Sequence, residues 1–284
     1  MSEVIKISNG TLKAAISTMG AELVSLERDG FENIWEGDPK IWGGHAPILF
    51  PVCGQLRDGK YTYCGKEYFM DGHGFAKNSL FALEEKSEAS ATFLLKSNEE
   101  TLSVYPFCFE FRVRFTASGS TLITEYIITN TDEKEMYFSI GSHEAYVCPE
   151  GIEEYSLVFS SEENLENSLL TGPFLNHQKE DFGVASEFPL KYEYFPPRDT
   201  LVFEKLKTRS VTLLHRPTGR KVTVDFEGSD KLLIWTMDNC RYLCIEPWCG
   251  LPDYVDTNYD ITQKAGIITL APKETISKAH TIIL

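Results

Sequence analysis

The sequence predicts an all-β protein: one large antiparallel domain over residues 1–284 with few short helices, built as a sandwich or a related layered sheet. Three observations carry that prediction. Apolar and polar residues alternate with a period of two through long stretches, as half-buried strands require. Turn-forming residues recur roughly every 8–12 residues from end to end. Helical periodicity is confined to one short segment.

In chain order, "FCFEFRVRF" sets Phe107, Phe109, Phe111, Val113 and Phe115 on one face and Glu110, Arg112 and Arg114 on the other. "TLITEYIITN" repeats the pattern with Leu122, Thr124, Tyr126 and Ile128. The helix-like segment is "SSEENLENSLL", residues 160–170, where Ser160 or Ser161 would cap and Leu165, Leu169 and Leu170 mark one face. "SVTLLHRPTGRKVTVDF" predicts a hairpin, two β-branched strands joined by Pro217, Thr218 and Gly219. "GIITLAPKETISKAHTIIL" predicts two closing strands around Pro272. No Gly/Ser linker, low-complexity tract or solenoid-period repeat divides the chain.

Composition narrows the function. A hydrophobic fraction of 42% and a charged fraction of 24% are those of an ordinary globule. At 284 residues the core is large enough to need no metal or disulfide. A net charge of −15 argues against nucleic acid, whose phosphates need a basic surface. No apolar run approaches the roughly 20 residues that span a bilayer, and "MSEVIKISNG" has no signal-like apolar core. Seven cysteines, an odd number, predict free thiols in a reducing compartment. Cys240, Cys244 and Cys249 cluster without a C-x2-C pair, so they are expected in buried strands rather than on zinc. The expectation is a cytoplasmic protein with no membrane and no nucleic-acid partner.

Three stretches carry chemistry. In "FMDGHGFAKNSLF", His73 stands between two glycines, either at a turn tip or where a ligand comes close. In "SIGSHEAYVCPEG", His143 follows an apolar strand; it serves either as a catalytic imidazole or as a core histidine bonded to a carbonyl. In "YLCIEPWCGLPD", Glu246 ends an apolar strand and Pro247 holds it extended. Ile245 and Trp248 would desolvate that carboxylate and make it a better base near neutrality. Two imidazoles and a carboxylate from distant strands would form an acid–base set if they converge. There is no phosphate-loop spacing, no strand-linked G-x-G-x-x-G and no G-x-S-x-G elbow. No H-x-H or H-E-x-x-H supports a metal among His45, His73 and His143, and Trp42, Trp235 and Trp248 are core by default.

With these segments in hand, the chain resembles the aldose 1-epimerase (galactose mutarotase) family, and within it the short bacterial branch related to lactose-operon X proteins. The matching segments are "WGGHAPILFPVCGQLRDGKYTYCGKEYFMDGHGFAKNSLF", "YFSIGSHEAYVCPEG", "DTLVFEKLKTRSVTL" and "YLCIEPWCGLPD", in family order. The resemblance implies an antiparallel β-supersandwich and an isomerase that interconverts the α and β anomers of a free aldose without a cofactor. It implies that Glu246 takes the proton of the C1 hydroxyl, that His143 protonates the ring oxygen and that His73 positions the sugar. Asp199, Gln55, Lys77 and Trp248 are implied as substrate-binding. Gly44, Gln55 and Lys77 stand where relatives often carry arginine, whose rigid fork neither lysine nor glutamine reproduces. Sugar identity and affinity are what these departures touch. The alternatives on the same scaffold are a non-catalytic sugar-binding or sensing protein and an epimerase of a phosphorylated hexose.

Overall fold

The structure is a computed structural model that describes residues 2–196 and 199–284. A four-stranded antiparallel meander, Val4–Ser8, Leu12–Ser17, Glu22–Arg28 and Phe31–Glu32, opens the chain. Most of the remainder belongs to one extended sheet of fifteen strands. Phe109–Ser118 and Thr121–Asn130 pair in register from Phe109↔Asn130 to Ser118↔Thr121. Their burial alternates residue by residue, because successive side chains point to opposite faces. Phe109, Phe111, Val113 and Phe115 fill the core together, as the alternation predicts. Phe50 lies in their midst, its ring 5.2 Å from Phe109 and 4.8 Å from Phe111. Burying each such ring contributes about 1.5–3 kcal/mol.

Thr275–Ile283 adds to the free edge of Thr121–Asn130 and passes the sheet on to Lys221–Asp225. That strand forms the expected hairpin with Ser210–His215. The other closing strand, Ile268–Leu270, joins Met136–Phe138 in a separate two-stranded sheet. The seven cysteines are free thiols. No helix among the described residues is long and apolar enough to cross a membrane.

Residues 160–170 are not helical. They belong to the strand Tyr155–Thr171, which runs back as Phe174–Pro189 in a long hairpin with register shifts. Tertiary bonds override the local preference. Glu163 accepts from the backbone N–H groups of Lys207 and Thr208, and Asn167 accepts from that of Val202. Residues 163, 165 and 167 are therefore buried at strand spacing, beneath a neighbouring loop and strand. The α-helix lies instead at Glu99–Val104, where Asn98 and Thr101 form a reciprocal cap.

The strand Tyr242–Cys249 positions the site. Every residue of it is buried, between Lys231–Trp235 on one side and Ile140–Ser142 and Glu144–Val147 on the other. Glu246 does not end it: the strand continues through Pro247 to Cys249. Proline supplies no N–H, and the partner strand is interrupted at His143, opposite this stretch. Period two sends Cys244, Glu246 and Trp248 to one face and Ile245 to the other.

Candidate active site

His143 interrupts the strand beside Tyr242–Cys249. The register on either side of it, Gly141↔Trp248 and Glu144↔Ile245, brings it level with Glu246. Its Nε2 stands 3.4 Å from Glu246 Oε2. Glu246 Oε1 and His143 Nδ1 are buried without a hydrogen-bond partner. Buried polar atoms are nearly always paired, and these two belong to residues that line a pocket, where a ligand can reach them.

His73 arrives from the opposite side on a turn tied down by the backbone. Its N–H donates to Gly54 O, and the N–H groups of Phe75 and Ala76 converge on Phe50 O. The Gly54 N–H donates back to His73 Nδ1 at 3.2 Å. Nδ1 therefore carries no proton, and Nε2 carries the ring's N–H. The glycines beside it do not make room for a ligand, contrary to the sequence-based expectation. A Cβ on Gly72 would come within 2.2 Å of the Gln55 amide, and one on Gly74 within 2.2 Å of Phe50 O. The turn closes on the protein itself. His73 adopts φ 66 and Gly74 φ 71, a left-handed pair of the kind that tight turns use.

These groups line a pocket of about 330 Å³, at the small end of ligand cavities. Gln55, His73, His143, Asp199, Glu246 and Trp248 face it together. Lys77 does not: its ammonium donates to Gly72 O at 2.8 Å, behind the turn. Trp42 and Trp235, expected as core, border the pocket instead. Trp42 stacks on His143 at 5.1 Å and 30°, and Trp235 meets the same ring edge-on at 5.5 Å. Gly44 permits this, since a Cβ there would come within 2.7 Å of the Trp42 ring. Nothing in the spacing of Trp42 and Trp235 singles them out. A larger groove of about 770 Å³, bounded by Phe69, Asp71 and Leu80, has no histidine in its lining.

Burial and charge tune the acid–base groups. Burial, then the Glu144 and Asp199 carboxylates, push the Glu246 carboxyl well above its ordinary range. Burial, then His73, push His143 well below the usual imidazole range. Burial, with Lys77 adding to it, pushes His73 down to about 3 and keeps it a neutral donor. His143, Cys244 and Glu246 hold donor atoms within 4.8 Å of one another. Burial and the Glu246 and Glu144 carboxylates push the Cys244 thiol well up.

A supersandwich with this pocket at the strand Tyr242–Cys249 is a galactose mutarotase-like fold. A galactose mutarotase-related enzyme from Lactobacillus acidophilus superposes with a TM-score of 0.92 at 31% identity, over 99% of this chain and 97% of that one. A galactose mutarotase-like protein from Lactobacillus casei superposes with a TM-score of 0.93 at 29% identity, over 99% of both chains. The aldose 1-epimerase family model matches residues 3–282. The plasmid-encoded protein LacX of Lactococcus lactis subsp. lactis is 36% identical over 303 aligned positions, covering 99% of each chain. The chain belongs to the aldose 1-epimerase family, in its LacX-like branch.

Proposed function

We propose that the protein is an aldose 1-epimerase, a single catalytic domain that interconverts the α and β anomers of a free aldose. The observation that carries this reading is the Glu246–His143 pair, 3.4 Å apart at the pocket, with one atom of each buried and unpartnered. Anomer exchange needs one proton removed from the C1 hydroxyl and one delivered to the ring oxygen, with no redox step. Glu246 takes the first and His143 gives the second, opening the hemiacetal to the aldehyde. Rotation about C1–C2 and the reverse transfers close the ring on the other face, so the pair ends as it began. Burial disfavours charge on both groups. The cycle therefore starts when one proton passes from the Glu246 carboxyl to His143 across their 3.4 Å contact, leaving the carboxylate as base and the imidazolium as acid.

His73 does not titrate in this scheme. Its Nε2–H, fixed by the bond to Gly54, donates to a sugar oxygen near the ring. Trp42, Trp235 and Trp248 offer faces and edges to the C–H surface of the ring. Gln55 and Asp199 bind hydroxyls, and Lys77 holds the His73 turn through Gly72. The carboxylates of Asp199 and Glu246 in the lining favour a neutral sugar over a phosphorylated one.

Polarimetry on freshly dissolved α-anomers of glucose, galactose, xylose and arabinose tests the reading. Faster relaxation to an unchanged final rotation is the expected result, and the ranking gives the sugar. No acceleration with any of the four would replace the enzyme with a sugar-binding protein on the same fold.

A further inference from the structure

Two segments that shape the pocket lie outside any strand or helix. Gly54 and Gln55 back the His73 turn, and Leu251, Pro252 and Asp253 follow the strand Tyr242–Cys249. Both are fastened at one residue. Asp253 Oδ2 accepts from the Arg57 N–H at 2.9 Å, and the Asp253 N–H donates to Gln55 O at 3.0 Å. The Leu175 N–H donates to Asp253 O at 3.0 Å, which ties in the long hairpin just after Pro173, a residue of the pocket lining. Asp253 Oδ1 accepts from Lys264 Nζ at 2.6 Å. The two side chains are 4% and 3% exposed. Lysine is almost never buried this deeply without a specific partner. Neither residue lines the pocket, and the acid–base scheme above makes no use of either.

We infer that Asp253, held in place by Lys264, is a positioning residue for sugar binding: it fixes the segment 54–57 that orients His73. The inference rests on the mutarotase reading for its kinetics but not for the geometry of His73. The route is short. Gly54 exchanges two bonds with His73, one from its N–H to Nδ1 at 3.2 Å and one from the His73 N–H to its carbonyl at 2.9 Å. Pro252 lies against Gly54, so close that a Cβ there would come within 2.7 Å of the proline Cα. The Gln55 amide packs on Gly72, on the other side of His73. The segment is thus gripped at Gln55 O and at the Arg57 N–H, by the backbone and the side chain of the same aspartate. Lys264 keeps that side chain in the orientation in which Oδ2 meets Arg57. The bond to Nδ1 stands at the long end of the hydrogen-bond range, so a small retreat of Gly54 breaks it. The neutral imidazole could then carry its proton on either nitrogen, and Nε2 would no longer be a constant donor to the sugar. Among the described residues, Asp253 makes no bond to Glu246 or His143, which are held by the paired strands.

Lys264→Met tests this at a distance from the sugar, with two readouts. KM should rise about three- to tenfold, the loss of one hydrogen bond, while kcat stays within about twofold of the wild type. The 15N signals of the His73 ring, assigned as those missing in His73→Gln, should report a single Nε2–H tautomer in the wild type and a mixture in the variant. Lys264→Met leaves a buried Asp253 oxygen unpaired and can weaken the fold. The double variant Asp253→Leu/Lys264→Met puts apolar groups in both places and should stay folded, with the same raised KM and the same mixture. A lower melting temperature with wild-type KM and a single tautomer would make the pair a structural one and overturn the inference. A fall in kcat as large as the expected rise in KM would overturn it too, because the pair would then be acting on Glu246 or His143. If the wild type has no epimerase activity, the tautomer signals decide alone.

Discussion

Two glutamate–histidine pairs sit on opposite faces of the same strand pair, and they are built differently. Glu246 and His143 stand 3.4 Å apart beside a pocket, each with an unpartnered atom. Glu144 and His280 close to 2.7 Å inside the core, within reach of no solvent. The open pair lines the pocket, where a ligand can reach its unpartnered atoms. The closed pair does not line that pocket, and its own unpartnered atoms, Glu144 Oε2 and both His280 ring nitrogens, are buried in the core. The same two residue types thus face a pocket on one side of the strand pair and the packed core on the other. The one-residue offset between Glu246 and Ile245, with Glu144 opposite the latter, decides which is which.

The comparison breaks most visibly at the open pair. Glu246→Gln should lower the rate of anomer exchange by about 10²–10⁴-fold with sugar affinity and melting temperature nearly unchanged, and His143→Asn should lose most activity too. Wild-type rates in either variant would remove that residue from the scheme. At the closed pair the loss should be in stability. His280→Ala leaves the buried Glu144 carboxyl without its 2.7 Å neighbour and opens a cavity, and should cost about 2–4 kcal/mol in urea unfolding. His143→Ala should cost far less, because its partner faces a pocket. Equal costs would erase the distinction.

A third, smaller effect belongs to His73, which lies on the pocket side but stays neutral. Its imidazole is held down to about 3 in the fold against an ordinary 6.5, so the unfolded chain binds the extra proton. Its contribution is present above pH 6.5 and lost as the pH falls toward 3, since stability rises with pH wherever the unfolded state holds more protons. His73→Gln should flatten the decline in the urea midpoint between pH 6.5 and 4, and an unchanged slope would mean that His73 is charged in the fold. The smallest change is expected at the rim. Gln55→Arg should lower KM a few-fold by adding a rigid two-donor fork, with kcat unchanged. A KM that does not move would place the Gln55 side chain outside the sugar's reach.

Much of this was legible in advance because strands write their period into the chain. The aromatic alternation from Phe107 to Phe115 and the paired pattern from Leu122 to Ile128 name the core faces of both strands. The hairpin around Pro217 and Gly219 follows from turn chemistry alone. The segment 160–170 was misread because its serines, glutamates and asparagines suit a helix locally, while their partners at residues 202, 207 and 208 are remote in sequence. Asn98 and Thr101 carried a legible cap that marked the actual helix.

By itself, the sequence determined the all-β class, the strand periods and the family, and named His73, His143 and Glu246 as candidates. Only the tertiary structure decided that these three meet, that Trp42 and Trp235 join them, and that Lys77 turns away. It also decided why glycines flank His73: not for a ligand, but because Gln55 and Phe50 already occupy the space. The pairing of Glu144 with His280 belongs to the same category. Periodicity is a property of neighbours along the chain, whereas contact, burial and field depend on which distant segment folds against which.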